Sequence, residues 1–337
     1  MKIALLSSIA WRTPPRKYGP WEQVTSNIAE GMVERGVDVT LFATGDSITK
    51  GQLESVCGCP YAEDDTINPK VVECLHISNL MEQADQFDLI HNNFDFLPLT
   101  YSRLIKTPMV TTIHGFSSPT ILPVYKKYNR SSHYVSISNA DRSDELDYTA
   151  TVYNGINVNE FSFDPTAKDY LLFWGRIHPE KGVFESIQIA KKSKRKLIIS
   201  GLIQDQEYFE QKVKPFVNND DIVYIGNSGP DKRNLYLGGA LALLHPISFE
   251  EPFGLSVVEA MCCGTPVIAF NRGSMPEIIH DKKSGFLVNT IEEAVEAVNN
   301  IYMLDRKYCR DWAASAFSRE KMVEGYVKVY QSILSDL

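Results

Sequence analysis

The sequence predicts an α/β protein built from two doubly wound domains. Three observations carry this expectation. The chain has 337 residues, and at roughly 150 residues per domain that length suits about two domains. Apolar runs of strand length recur along it, mostly continuous rather than alternating, as in parallel strands buried on both faces. Helical stretches separate these runs, and alternation of this kind builds open sheets covered by helices on both sides.

In the first half the strand-like runs are Ile3–Leu6, Val37–Ala43, Val72–Ile77, Asp88–Asn92, Met109–His114, Tyr134–Ser138 and Thr151–Tyr153. After Trp21, the residues Val24, Ile28 and Met32 fall one helical turn apart and predict an amphipathic helix. Periodicity is lost over Asn157–Lys168, where the break between domains is expected. The first domain then covers 1–160 and the second 168–315, with a closing helical stretch over 316–337. Strand-like runs in the second half are Tyr170–Trp174, Lys196–Ser200, Ile222–Ile225, Leu241–His245, Pro266–Phe270 and Phe286–Val288. A helix is expected from about Phe253 to near Gly264. Thr290 and Glu293 form a capping-box pattern ahead of Ala294, Val295, Val298 and Ile301 on one face. In the final stretch Met322, Tyr326, Val329, Tyr330 and Ile333 make an apolar face.

Composition excludes several classes of function. Hydrophobic residues at 44% and charged residues at 23% exclude disordered and collagen-like chains. Lysine and arginine number 34 against 42 acidic residues, a net −8, which argues against nucleic acid as the main partner. No run of about 18 apolar residues could span a bilayer, so only peripheral membrane contact is left open. The start, Met1-Lys2-Ile3-Ala4-Leu5-Leu6, reads as a first buried strand rather than a signal peptide. Six cysteines without zinc spacing are expected to be reduced thiols of a cytoplasmic protein. No Asp-x-Asp pair offers a metal site.

Ligands of such sheets bind beyond the carboxyl ends of the strands, so the unusual residues at those turns are the site candidates. Gly175-Arg176-Ile177-His178-Pro179-Glu180-Lys181-Gly182 follows the first strand of the second half. It places a planar donor fork and a mobile point charge five residues apart, a combination suited to a diphosphate. Glu251-Pro252-Phe253-Gly254-Leu255-Ser256-Val257-Val258-Glu259 follows Leu241–His245 and runs into a helix whose N-terminal amides favour anions. At a uniform helical rise Glu251 and Glu259 stand about 12 Å apart. That exceeds the roughly 5–10 Å of carboxylates acting on one bond and suits a grip on two ends of an elongated ligand. In the first half, Tyr18-Gly19-Pro20-Trp21-Glu22 opens a helix, and Gly19 allows close backbone approach to a phosphate. It is not a dinucleotide fingerprint. His114, before Gly115, ends a strand as a proton carrier or hydrogen-bond donor; His91 occupies a similar strand end.

These segments resemble the family 4 retaining glycosyltransferases of the GT-B fold. The resemblance rests on Gly175-Arg176 with Pro179-Glu180-Lys181-Gly182, on the E-x7-E motif from Glu251 to Glu259, and on Ala260-Met261 with Gly264-Thr265-Pro266-Val267-Ile268-Ala269. It extends to Gly273, Pro276-Glu277-Ile278-Ile279 and Tyr153-Asn154-Gly155-Ile156, and so covers nearly the whole chain. It implies two Rossmann-like domains facing a cleft, the first on the acceptor side and the second binding the donor, with the last helix crossing back to the first.

The resemblance also implies roles. Arg176 and Lys181 bind the diphosphate of a nucleotide sugar, which is substrate rather than cofactor. Glu251 accepts hydrogen bonds from the sugar; the backbone of Phe253, Gly254 and Leu255 contacts sugar or phosphates; Glu259 holds the ribose. His114 lies near the sugar and Gly19 near the donor. The implied reaction moves a hexosyl group from a UDP- or GDP-sugar to a hydroxyl acceptor, a soluble sugar or glycoside, without metal. The family commonly has Gly-Gly-x-Glu where this chain has Gly19-Pro20-Trp21-Glu22, and proline removes one N–H from that turn. A nucleotide-sugar epimerase of the same fold and a non-catalytic two-lobed sugar-binding protein are the alternatives.

Overall fold

The computed structural model describes residues 1–115 and 120–335. It divides into two units, one of Met1–Gly155 with Arg319–Leu337 and one of Ile156–Ser318. The division at Gly155/Ile156 falls just ahead of the aperiodic stretch 157–168. Asp336 and Leu337, the end of the expected closing helix, lie outside the described residues.

In the first unit the elements are β1 (Lys2–Leu6), α1 (Pro20–Glu34), β2 (Asp38–Phe42), β3 (Gln52–Glu54), α2 (Pro69–Met81), β4 (Leu89–Asn92), β5 (Met109–Ile113), α3 (Leu122–Tyr128), β6 (His133–Ser136) and β7 (Tyr148–Thr151). The sheet is parallel throughout, in the order β3-β2-β1-β4-β5-β6-β7. The order reverses between β1 and β4. Helix α1 opens with Pro20 in its first turn and buries Val24, Ile28 and Met32, the predicted face.

Three expectations fail here. Val72–Ile77 is not a strand; it lies within α2, which Asn68 caps by accepting the Lys70 N–H and whose first residue is Pro69. A short, mostly apolar run interrupted by Glu73 and His76 fits either element, and the cap with its proline decides for the helix. The last strand is Tyr148–Thr151 rather than Thr151–Tyr153, and β3 was not anticipated. Both are edge strands with partly exposed side chains, so neither shows a continuous apolar run.

The last helix, Arg319–Ser335, packs on α1. A Cβ on Gly31 would come within 2.5 Å of Val323 Cγ2, so the glycine sets how closely the two helices approach. Buried Tyr326 shares a hydrogen bond with Thr112 Oγ1 at 2.9 Å, and Tyr330 one with His91 Nδ1 at 2.6 Å. Thr112 and His91 lie on neighbouring strands of the sheet, so these hydroxyls fasten the helix to it.

The second unit contains β8 (Tyr170–Trp174), α4 (Val183–Ser193), β9 (Lys196–Ser200), α5 (Gln206–Tyr208), β10 (Ile222–Tyr224), α6 (Pro230–Gly239), β11 (Ala242–His245), α7 (Leu255–Cys262), β12 (Val267–Phe270), α8 (Met275–Ile278), β13 (Gly285–Val288), α9 (Ile291–Asn300) and α10 (Arg306–Ala316); counted on from these, the last helix is α11. Its parallel sheet runs β10-β9-β8-β11-β12-β13 and reverses between β8 and β11. Those two strands pair only through Leu171 and Leu172 with Ala242 and Leu243, although β8 continues to Trp174 and β11 to His245. Their carboxyl ends therefore diverge, and the crevice of a doubly wound sheet lies at such a reversal. Thr290 accepts the Glu293 N–H at the head of α9, while Glu293 accepts from Asn289, one residue outside the usual box.

Candidate functional site

The reversal point of the second unit gathers the predicted residues from two turns. The turn after β8 carries Arg176 and a 3-10 segment, Pro179–Lys181, ending at Gly182. Gly182 has φ 75°, and a Cβ there would lie 2.0 Å from the Pro246 carbonyl oxygen. The Ser248 N–H donates to the Glu180 carbonyl at 2.9 Å. Backbone contact thus locks the basic turn onto the loop that follows β11.

Across this junction Lys181 Nζ lies 2.5 Å from Glu251 Oε2, and each side chain is less than 15% exposed, at 14% and 11%. The lysine also sits 4.5 Å from the centre of the Phe249 ring. Burial alone would raise the Glu251 carboxyl, but Lys181, aided by His245, holds it down at about 2 against an ordinary 4.5. His245 Nε2 stands 3.4 Å from the same carboxylate oxygen, within ion-pairing reach but outside hydrogen-bond geometry. The Ser274 N–H donates to the Glu251 carbonyl, and a Cβ on Gly273 would lie 2.3 Å from the Glu251 nitrogen. The loop carrying Glu251 is therefore fixed on both sides.

Arg176 is placed differently. Its guanidinium hydrogen-bonds the Gln204 side chain, whereas Lys181 is engaged by Glu251. The two cations of the turn thus serve separate partners. Gly254, with φ 94°, caps α7, which runs from Leu255 to Cys262 rather than from Phe253. Only the part of the motif from Leu255 is helical, so a uniform rise from Glu251 to Glu259 does not apply. Phe253 is buried, and its carbonyl accepts from Ser274 Oγ at 2.7 Å. Glu259 lies on α7 beside Arg233, whose Nη1 is 3.7 Å from Oε1. Burial raises the Glu259 carboxyl, and Arg233 opposes that rise.

In the first unit Gly19 has φ 151° and precedes Pro20; a Cβ there would meet Pro15 at 2.8 Å. Buried Glu22 is pushed up by desolvation to about 6, against hydrogen bonds from its own backbone, Ser8 and the Trp11 backbone. His114 stacks on Trp21, with ring centres 5.9 Å apart, and its Nε2 lies 2.9 Å from Asn93 Oδ1. Facing that oxygen, Nε2 carries the proton and donates, which leaves the buried, unpartnered Nδ1 as an acceptor. Burial lowers the His114 pKa to about 3, so the ring is neutral in ordinary buffers. His91 is separated from it by its partners: Tyr330 on Nδ1 and Thr112 on Nε2 at 2.7 Å leave it no free nitrogen.

Sequence reasoning missed His245, Arg233, Gln204 and Asn93. His245 and Asn93 stand at or just beyond strand carboxyl ends, a signal that could have marked both. Arg233 sits in the charged opening of α6 and Gln204 in a loop; nothing local distinguishes either. Among the described residues no three His, Cys, Asp or Glu side chains gather as a metal site, and no helix is long and apolar enough to cross a membrane.

Residues 158–319 match the family described as glycosyl transferases group 1, and residues 21–160 match Glycosyltransferase Family 4. An uncharacterised glycosyltransferase of Methanocaldococcus jannaschii is 26% identical across 95% of this chain and 97% of its own. Sucrose-phosphate synthase from Thermosynechococcus elongatus superposes over the whole of both chains with a TM-score of 0.81 at 19% identity. So does Anabaena HepE in complex with UDP-glucose, with a TM-score of 0.75 at 20% identity. The structural likenesses carry the fold and the family matches span residues 21–319: the chain belongs to the family 4-type glycosyltransferases of the GT-B fold.

Proposed function

We propose that this glycosyltransferase moves a hexosyl group from a nucleotide-diphosphate sugar to a hydroxyl acceptor, a soluble sugar or glycoside, with retention of configuration and without a metal. The observation that carries this reading is the Lys181–Glu251 pair at the reversal point of the second sheet. Held at about 2, Glu251 is ionised at neutral pH; it can accept hydrogen bonds from sugar hydroxyls but cannot act as a general acid. Lys181 and Arg176 offer cations to a diphosphate, and the first amides of α7 add fixed dipoles. The UDP-glucose held by HepE supports a UDP-sugar as the first donor to try.

In the proposed reaction the bond between the anomeric carbon and the diphosphate oxygen breaks, leaving oxocarbenium character on the sugar. Negative charge grows on the departing oxygen, where fixed cations stabilise the transition state more than the ground state. The acceptor oxygen bonds to the same face of that carbon and passes its proton to the departing phosphate oxygen. Configuration is retained without a protein nucleophile. Glu251, paired with Lys181, serves the sugar hydroxyls in this scheme. Neutral His114 offers Nδ1 as an acceptor for a hydroxyl. No cofactor beyond the donor enters.

A thermal-shift screen of UDP, GDP and ADP and their common sugar conjugates tests donor binding, since a ligand of the folded state raises the melting temperature by mass action. One nucleotide should stand out; a flat screen contradicts the reading. With that donor and a panel of sugars, proton NMR of the product should show the donor's anomeric configuration. An inverted product overturns retention, and donor-only release of an epimerised sugar would favour the epimerase. Activity should survive EDTA; loss restored by magnesium overturns the metal-free scheme.

A further inference from the structure

Glu259 is a buried carboxylate with an unusual neighbour. On α6, Arg233 spreads its guanidinium between two acids, with Nη1 3.7 Å from Glu259 Oε1 and Nη2 3.3 Å from Glu160 Oε2. The guanidinium carbon lies 4.1 Å from the centre of the buried Phe161 ring, a stacked cation–π contact. The Arg233 side chain is 12% exposed and its Nε is buried with no hydrogen-bond partner. A buried arginine held on three sides is costly to keep unless its charge is used. Among the described residues it is the one cation within ion-pairing distance of Glu259. At 3.7 Å it supplies charge without saturating the carboxylate, whose oxygens stay open to other donors.

We infer that Arg233 is a positioning residue for the donor: braced by Glu160 and Phe161, it keeps the Glu259 carboxylate ionised and turned to accept hydrogen bonds from two neighbouring ribose hydroxyls. This rests on the role of ribose ligand that the family resemblance implies for Glu259. The chemistry requires it, because a vicinal diol donates to a carboxylate, and protonating that carboxylate removes an acceptor. Burial works against ionisation of Glu259, and Glu160 adds to the opposition. The other titratable neighbours are Cys262 and Cys263, pushed by burial up to about 11 and about 12, so both stay protonated near neutrality. Arg310, on α10, is occupied by the carbonyl oxygens of Phe161, Cys262 and Val158. Arg233 is thus the group that holds the charge on Glu259.

The test is calorimetric titration of whichever of UDP, GDP and ADP gives the largest thermal shift, alongside its 2′,3′-dideoxy analogue. It compares wild type, Arg233→Met, Arg233→Lys and Glu259→Gln at a series of pH values from about 6 to about 8.5, over which the wild-type profile should be flat. Glu259→Gln should weaken the ribo form by about tenfold or more and erase its advantage over the dideoxy form. Arg233→Met should lose about tenfold at the acid end and recover as pH rises, because losing the cation raises the carboxyl further. Arg233→Lys should restore the flat profile, and Arg233→Met should raise the donor KM with kcat little changed. If Glu259→Gln loses ribose discrimination while Arg233→Met keeps it at every pH, the inference fails and the role of Glu259 stands. If Glu259→Gln binds both forms like wild type, the role of Glu259 fails first. Should Arg233→Met not fold, Arg233→Gln decides, since it removes the charge and keeps a polar side chain: ribo-form binding that stays as tight and as flat with pH as in the wild type overturns the inference.

Discussion

Lys181 and Glu251 set each other's charge, and the consequence is measurable as stability. Glu251 titrates at about 2 in the folded chain against 4.5 for the ordinary group, a difference corresponding to about 3 kcal/mol by linkage. A depressed carboxyl contributes stability above its unfolded pKa and loses it as pH falls through the folded value. Urea melts of wild type and Glu251→Gln should therefore differ by a constant amount above about pH 4.5 and converge towards about pH 2. A gap independent of pH sinks the assignment. Lys181→Ala does two things at once. It removes a cation from the growing charge on the leaving group, so kcat should fall about 10²–10³-fold with a smaller change in donor binding. It also strands a buried carboxylate, at a cost of about 3–5 kcal/mol in stability. The double variant Lys181→Met/Glu251→Gln should recover most of the stability and none of the turnover. If both losses recover together, Lys181 is structural only.

At the scale of elements, the site is held by a backbone contact rather than by side chains. Gly182 and Gly36 share nearly the same left-handed φ, 75° and 77°, but a Cβ on Gly182 would lie 2.0 Å from a carbonyl oxygen, whereas nothing lies within 4 Å of one on Gly36. Gly36→Ala should then cost about 1 kcal/mol from conformation alone. Gly182→Ala should cost several times that, because the β8 turn must part from Pro246. Equal losses on thermal denaturation would show that the contact does not matter. This geometry also explains what was legible in the sequence. The basic turn and the Glu251 loop stood out because each follows a buried strand, and chemistry collects at strand carboxyl ends. The pairing of Lys181 with Glu251 was hidden, since it depends on β8 and β11 becoming neighbours at the sheet reversal. The run Val72–Ile77 suggested a strand because Val72, Cys74, Leu75 and Ile77 make it mostly apolar; the cap at Asn68 and Pro69, lying outside the run, carried the answer. Arg233 gave no local sign, as its meaning comes from Glu160 and Glu259, brought to it by the fold.

For the whole molecule, the decisive feature is that the first unit is discontinuous. Its chain leaves at Gly155 and returns at Arg319. The apolar face of α11 was readable from its spacing, but no residue on it names the sheet it will meet. In the structure Met322, Val323, Tyr326 and Tyr330 are buried in the first unit. At about 1.5–3 kcal/mol for each large apolar side chain, their removal would take away on the order of 6–12 kcal/mol. That is comparable to the entire net stability of a domain, about 5–15 kcal/mol. It would also leave His91 and Thr112 without their tyrosine partners in a buried setting. The second unit loses nothing from its own sheet or core by the same cut, since Lys181, Glu251, Glu259 and Arg233 all lie within Ile156–Ser318. Ending the chain after Ser318 should therefore unfold the first unit selectively. Glycosyl transfer should vanish, while one melting transition remains and still rises with the nucleoside diphosphate that binds the full chain. A truncated chain that melts as wild type does would show that α11 is dispensable to its sheet. One that loses the nucleotide response along with the first unit would show that the donor residues depend on more than the unit that carries them.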